Sequence, residues 1–149
     1  MYWIGIDTGR HTGLAVWNDA DDRFEAIVEL PLYKALRFVE QWKDRAATDG
    51  VDLRVIVEDA RKRKWIPNSG DVRTEMARRQ GAGSVKRDCT IWDEFLGGEK
   101  FNYEMIAPRK NATKLSAEMF RGITEWYERT NEHKRDAAML VFKQPRNEK

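Results

Sequence analysis

Four side chains stand beside apolar runs, and their types suit one kind of chemistry. Asp7 follows the apolar stretch 3–6, Glu58 follows 53–57, and His133 and Asp136 open the last apolar segment. An ionised carboxylate at the edge of a core is expensive unless it is paired or binds a cation. Two carboxylates on neighbouring strands repel and hold protons more tightly unless a divalent ion neutralises them. Hard oxygen donors of this kind suit magnesium or manganese. His133 and Asp136 are three positions apart, which puts both on one helix face. That face can carry a metal ligand and a group that orients water or phosphate. Each residue also has an ordinary explanation. Asp7-Thr8-Gly9 suits a turn, and Glu58-Asp59 suits a strand exit. His133 suits a helix start, and Asp136 can pair with Lys134 or Arg135. Their joint placement at three element ends favours a shared site.

The elements that must position these groups follow from periodicity. Residues 3–6 read as a buried strand running into Asp7. Gly9 and Gly13 punctuate the next segment, and 14–17 reads as a second strand close enough for a hairpin. After a polar turn at 18–22, Phe24, Ala26, Val28 and Leu30 alternate with polar residues, as in a third strand with one solvated face. Pro31 ends it. Leu36, Val39, Trp42 and Ala46 recur at helical spacing, so a helix is expected over 33–47, closed by Gly50. Residues 53–57 form a fourth strand that follows a helix, and so runs parallel to the first. A basic loop comes next, Arg61-Lys62-Arg63-Lys64-Trp65. Asp71 can cap a helix reaching Leu96, with a break near Gly81 and Gly83 and a stop at Gly97-Gly98. Residues 103–107 read as a fifth strand, ended by Pro108. Arg109, Lys110 and Lys114 form a second basic stretch. Ser116 can cap a helix to about Glu128, and a last helix covers 133–142. The order is β-β-β-α-β-α-β-α-α.

The chain has 149 residues, which suits one domain, and a 41% hydrophobic content can fill a core. A single α/β domain is expected over 1–143, with a polar tail at 144–149. The net charge of +2 is too small to announce a polyanionic partner by amount alone, so the clustering of the basic residues carries that information instead. Cys89 is the lone cysteine and has no disulfide partner within the chain, which points to a reducing, cytoplasmic setting. The opening residues carry no basic segment followed by a long apolar one, so no signal peptide is expected. No window approaches the length of a membrane span.

Taken together, these segments resemble a known family. Ile4-Gly5-Ile6-Asp7-Thr8-Gly9 with Thr12-Gly13-Leu14-Ala15 is similar to the opening hairpin of RuvC-like Holliday junction resolvases (crossover junction endodeoxyribonucleases). Val55-Ile56-Val57-Glu58 resembles their fourth strand, and His133-Lys134-Arg135-Asp136-Ala137 their C-terminal helix motif. Pro108, Lys110 and Lys114 fall where the family has a basic stretch. Thr8 stands where the family has proline, and the stretch 59–65 is more basic than its counterpart.

The resemblance implies a ribonuclease H-like fold with a five-stranded mixed sheet, three strands antiparallel and two parallel, flanked by helices. It implies an endonuclease that resolves four-way or other branched DNA in recombination or repair. Two Mg2+ ions per site would be held by Asp7, Glu58, Asp136 and His133, with Mn2+ as a substitute. Asp7 would bridge the ions, and Lys110 or Lys114 would stabilise developing phosphorane charge. Arg61, Lys62, Arg63 and Lys64 sit beside Glu58 and would bind DNA phosphates, with Trp65 stacking on an unpaired base. Arg73, Arg78, Arg79, Lys86 and Arg87 extend that surface. The family is dimeric. Met76, Ile91, Trp92, Phe95 and Leu96 could be dimer contacts or core. The alternatives are a nuclease for forks or structured RNA, and a non-catalytic nucleic-acid-binding module on the same fold.

Overall fold

A computed structural model describes residues 1–63, 72–109 and 114–146, with side chains in the long second helix described from residue 83. Lys64, Trp65 and Lys110 lie outside the described residues, as do the side chains of Arg73, Met76, Arg78 and Arg79. The elements are β1 (Tyr2–Asp7), β2 (His11–Asn18), β3 (Arg23–Pro31), α1 (Leu32–Asp49), β4 (Leu53–Glu58), a 3-10 turn (Ala60–Lys62), α2 (Val72–Gly98), β5 (Tyr103–Ile106), α3 (Ala117–Thr124) and α4 (Glu132–Val141).

The strands form one sheet in the order β3-β2-β1-β4-β5. β1, β2 and β3 pair antiparallel, while β4 runs parallel to β1 and β5 parallel to β4. This is the expected mixed sheet of an α/β protein. β1 lies at its centre because it is apolar on both faces: Tyr2, Trp3, Ile4 and Ile6 are all buried. A strand with no polar face must be covered twice.

The two coverings use different helices. On one face Ile4, Ile6, Leu14, Val16, Val55 and Val57 meet α1 and the end of α2. α1 buries Ala35, Val39, Trp42 and Ala46 and ends at Gly50, whose left-handed φ of 66° suits a residue without Cβ. Trp92 and Leu96 are fully buried here, and Phe95 packs against the same cluster. These three α2 residues are therefore core. On the other face Trp3, Ala15, Trp17, Phe24 and Ile56 meet Phe120 of α3 and Ala137, Ala138 and Val141 of α4.

α4 approaches the sheet unusually closely. A Cβ on Gly5 would run into the carbonyl oxygen of Ala137, and one on Gly13 into the carbonyl oxygen of His133. Two glycines on adjacent strands thus open a groove for the helix backbone.

Three boundaries differ from expectation. β2 begins at His11, so Gly13 lies inside a strand and pairs with Asp7. α2 runs through Gly81 and Gly83 without a break. Glycine weakens a helix interior by about 1 kcal/mol relative to alanine, too little to break a long helix without a proline. α3 stops at Thr124, short of Glu128, with Glu125 in the left-handed region at φ 58°. Thr124 Oγ1 donates to the Phe120 carbonyl and accepts from Trp126 N–H, turning Trp126 toward Phe24.

The glycine groove is testable. Gly13→Ala should destabilise the protein by about 2 kcal/mol or more, because the obstacle is backbone rather than a flexible side chain. Urea denaturation measures this, and an unchanged midpoint would refute the close packing.

Candidate active site

The sheet register builds the first half of the site. Asp7 and Glu58 are direct neighbours across the parallel β1–β4 pair. Neighbouring strands lie about 4.8 Å apart, so the two carboxylates start from adjacent backbone positions on one face. The same row continues through Gly13 to Glu29 on one side and to Ile106 on the other. Asp7 shares its face with Trp3 and Gly5, the face that α4 covers.

α4 supplies the second half. Asn131 caps it, accepting from Lys134 N–H at 3.0 Å, while its amide donates to Glu29 Oε2 at 2.5 Å. The cap ties the helix start to β3. Two residues later His133 Nδ1 lies 3.1 Å from Asp7 Oδ2, donating to the carboxylate. Asp136, one turn on, is close enough for its charge to act on both Asp7 and Glu58. The structure therefore gathers Asp7, Glu58, His133 and Asp136 at one end of the sheet.

Their electrostatics follow from that crowding. Burial pushes the Asp7 carboxyl up to about 6, and the charges of Asp136 and Glu58 add to the rise. The hydrogen bond from His133 opposes it. Glu58 is also raised, first by burial and then by Asp136, against the lowering effect of Arg63, Lys114 and Arg109. Arg63 follows β4, while Arg109 and Lys114 belong to the connection between β5 and α3, so two segments give the carboxylates a basic border. Lys114 pairs with Glu132 at the start of α4 and lies 4.0 Å from Asp136 Oδ2.

The loop after Glu58 divides its basic residues between two roles. Arg63 is exposed. Arg61 is exposed as well, but its guanidinium is already engaged by acidic partners, which the sequence did not suggest. Its guanidinium is shared between Asp59 and Asp93, with Nη2 at 2.8 Å from an oxygen of each. Lys62 Nζ donates to the Met105 carbonyl at 2.5 Å. Asp59 is buried, and the Arg61 side chain holds its carboxyl below the usual range.

The donor set suits a divalent cation chemically. It is rich in hard oxygen, partly buried, and carries like charges whose repulsion a cation relieves. As placed, no three His, Cys, Asp or Glu groups among the described residues form a closed metal-binding cluster. Asp7 is instead engaged by His133.

Sequence reasoning missed several contributors. Gly5 and Gly13 admit α4, and glycine inside a strand pattern is the signal for such close approach. Glu29 and Asn131 anchor the helix start. Thr8 and Cys89, whose side chains meet at 3.2 Å, lie buried just behind the row. Arg109 was visible only as part of a basic stretch.

Compared with known proteins, the chain matches no family model, no curated protein and no solved structure. No helix among the described residues is long and apolar enough to cross a membrane.

The raised Asp7 carboxyl gives a signed prediction. Its folded value of about 6 exceeds the unfolded 3.8, so the folded state binds the proton more tightly. That contribution is full below the unfolded value and is lost as pH rises through about 6. A rise of about two units corresponds to roughly 3 kcal/mol. In chelator, Asp7→Asn should stabilise the protein near neutral pH by an amount of that order, with the gain fading as the medium is acidified. Urea titrations across pH measure it, and a pH-independent difference would contradict the burial of this charge.

Proposed function

We propose that the chain is a divalent-metal-dependent endonuclease of ribonuclease H-like fold that cuts branched DNA, with the four-way junction as its preferred substrate. The observation that carries this reading is the meeting of Asp7 and Glu58, in register on β1 and β4, with His133 and Asp136 of α4, beside a border of Arg63, Lys114 and Arg109. A binding module needs basic residues but has no use for repelling carboxylates gathered at one point. The mixed sheet and the helix order agree with the fold that the resemblance to RuvC-like resolvases implies. That resemblance supports the junction as substrate.

Asp7, Glu58 and Asp136 would hold Mg2+ or Mn2+, with His133 as a further ligand or as the group that positions water. Ions held there would supply an activated water for attack on phosphorus and stabilisation of the departing 3′ oxygen. By holding the ions, the carboxylates would set where the scissile phosphate could be bound despite their own negative charge. Lys114, which pairs with Glu132, would turn to a phosphate oxygen as negative charge develops. Arg63 and Arg109 neutralise flanking phosphates without reading sequence. A junction has approximate twofold symmetry, which a C2 dimer would match. With Trp92 and Leu96 in the core, such a dimer would use other surfaces.

A cleavage assay tests the reading. Four-way junction, fork, linear duplex and RNA hybrid are incubated with magnesium or with chelator. Magnesium-dependent cutting of the junction is expected, and Asp7→Asn should reduce it by roughly 10³-fold or more while binding persists. Cutting of forks or RNA in preference would reassign the substrate. Tight binding without cutting of any substrate would identify a binding module.

The basic border is tested separately. Replacing Arg63 and Lys114 together with glutamine should weaken DNA binding and lower the salt dependence of log Kd by about two. An unchanged slope would place the DNA elsewhere.

A further inference from the structure

Glu58 is the last residue of β4, so nothing within its own strand restrains the chain beyond it. The next turn is nonetheless held from three directions. Asp59 N–H donates to the Ile106 carbonyl at 2.7 Å, continuing the β5 pairing by one residue. Asp59, only 1% exposed, accepts from Arg61 three times: from N–H at 3.0 Å and Nε at 2.9 Å on Oδ1, and from Nη2 at 2.8 Å on Oδ2. The same Nη2 lies 2.8 Å from Oδ2 of Asp93 on α2. Asp93 Oδ1 in turn accepts from the Tyr103 hydroxyl on β5 at 2.7 Å. One guanidinium therefore joins the exit of β4 to α2, and through Asp93 to β5.

We propose that Arg61 is a positioning residue for Glu58, its guanidinium clamping the Asp59 turn between β4 and α2 so that the neighbouring carboxylate is fixed beside Asp7. The inference rests on the reading of Glu58 as a metal ligand. A planar fork suits the task because it engages two carboxylates in fixed directions, which an ammonium group cannot do. The clamp also accounts for a basic residue so near the site being bound to two carboxylates other than those of the acidic row. Of its two acidic partners, Asp59 is buried and Asp93 belongs to α2, so the guanidinium is already occupied, whereas Arg63 acts on Glu58 through its charge.

The test is calorimetric titration of Mn2+ into the metal-free full-length chain, without DNA, together with DNA binding in chelator. Residues that orient metal ligands typically change affinity by about 10–100-fold when removed. Arg61→Gln should weaken Mn2+ binding by about 10-fold or more, with the DNA Kd and its salt dependence unchanged. Equal Mn2+ affinity in Arg61→Gln and wild type would overturn the proposal alone. Weaker DNA binding and a shallower salt dependence at unaltered Mn2+ affinity would overturn it too, making Arg61 a phosphate contact. If wild type takes up no Mn2+, the metal-site reading fails and this proposal with it. Should Arg61→Gln fail to fold, Asp93→Asn decides. It leaves the Asp59 pair intact and should weaken Mn2+ binding in the same direction, and no change there would refute the clamp.

Discussion

The close seating of α4 on the first two strands is the constraint on which the rest depends. Where Gly5 and Gly13 leave no side chain, the helix backbone rests almost on the sheet, and Ala137 fills what room is left. Larger residues at these positions would lift the helix and carry His133 and Asp136 away from β1. The small residues of α4 and the glycines of the sheet therefore work as one surface. The aromatic cluster of Trp17, Phe24, Trp126 and Phe142 closes the groove beyond them. Packing at one end of the helix thus fixes polar geometry at the other.

Two adjacent carboxylates show how strand alternation separates roles. Glu58 and Asp59 are consecutive, yet one is pushed up by burial among like charges and the other held down by a bound guanidinium. Successive side chains at a strand end point to opposite faces. Glu58 faces α4 and the other acidic groups, while Asp59 faces the α2 side. A charge of the acidic row and a structural one therefore stand a single residue apart without sharing an environment.

Much of this was legible in the sequence. The short, largely apolar runs before Asp7 and Glu58 marked two strands, the second parallel to the first, and the three-residue spacing of His133 and Asp136 marked one helix face. Capping by Ser116 and closure at Gly50 were local signals and read correctly. What escaped depended on distant partners. The Arg61 to Lys64 run looks uniformly basic, but Arg61 is claimed by Asp93, 32 residues away, and Lys62 by a β5 carbonyl. Gly13 looked like turn punctuation, because the helix that requires it lies more than a hundred residues later in the chain. The unbroken α2 reflects the cooperativity of a long helix, which outweighs two glycines read one at a time.

The hydrogen bond between Asp7 and His133 joins residues 126 positions apart. Contacts of such separation form late, since most of the chain must be ordered before they can close. During synthesis, β1 would leave the ribosome long before the helix that completes its polar end. Until α4 docks, Gly5 and Gly13 line an open trough, and the acidic row has no histidine beside it. An incomplete chain can pack the opposite face of its sheet and still lack the cluster of Asp7, Glu58, His133 and Asp136.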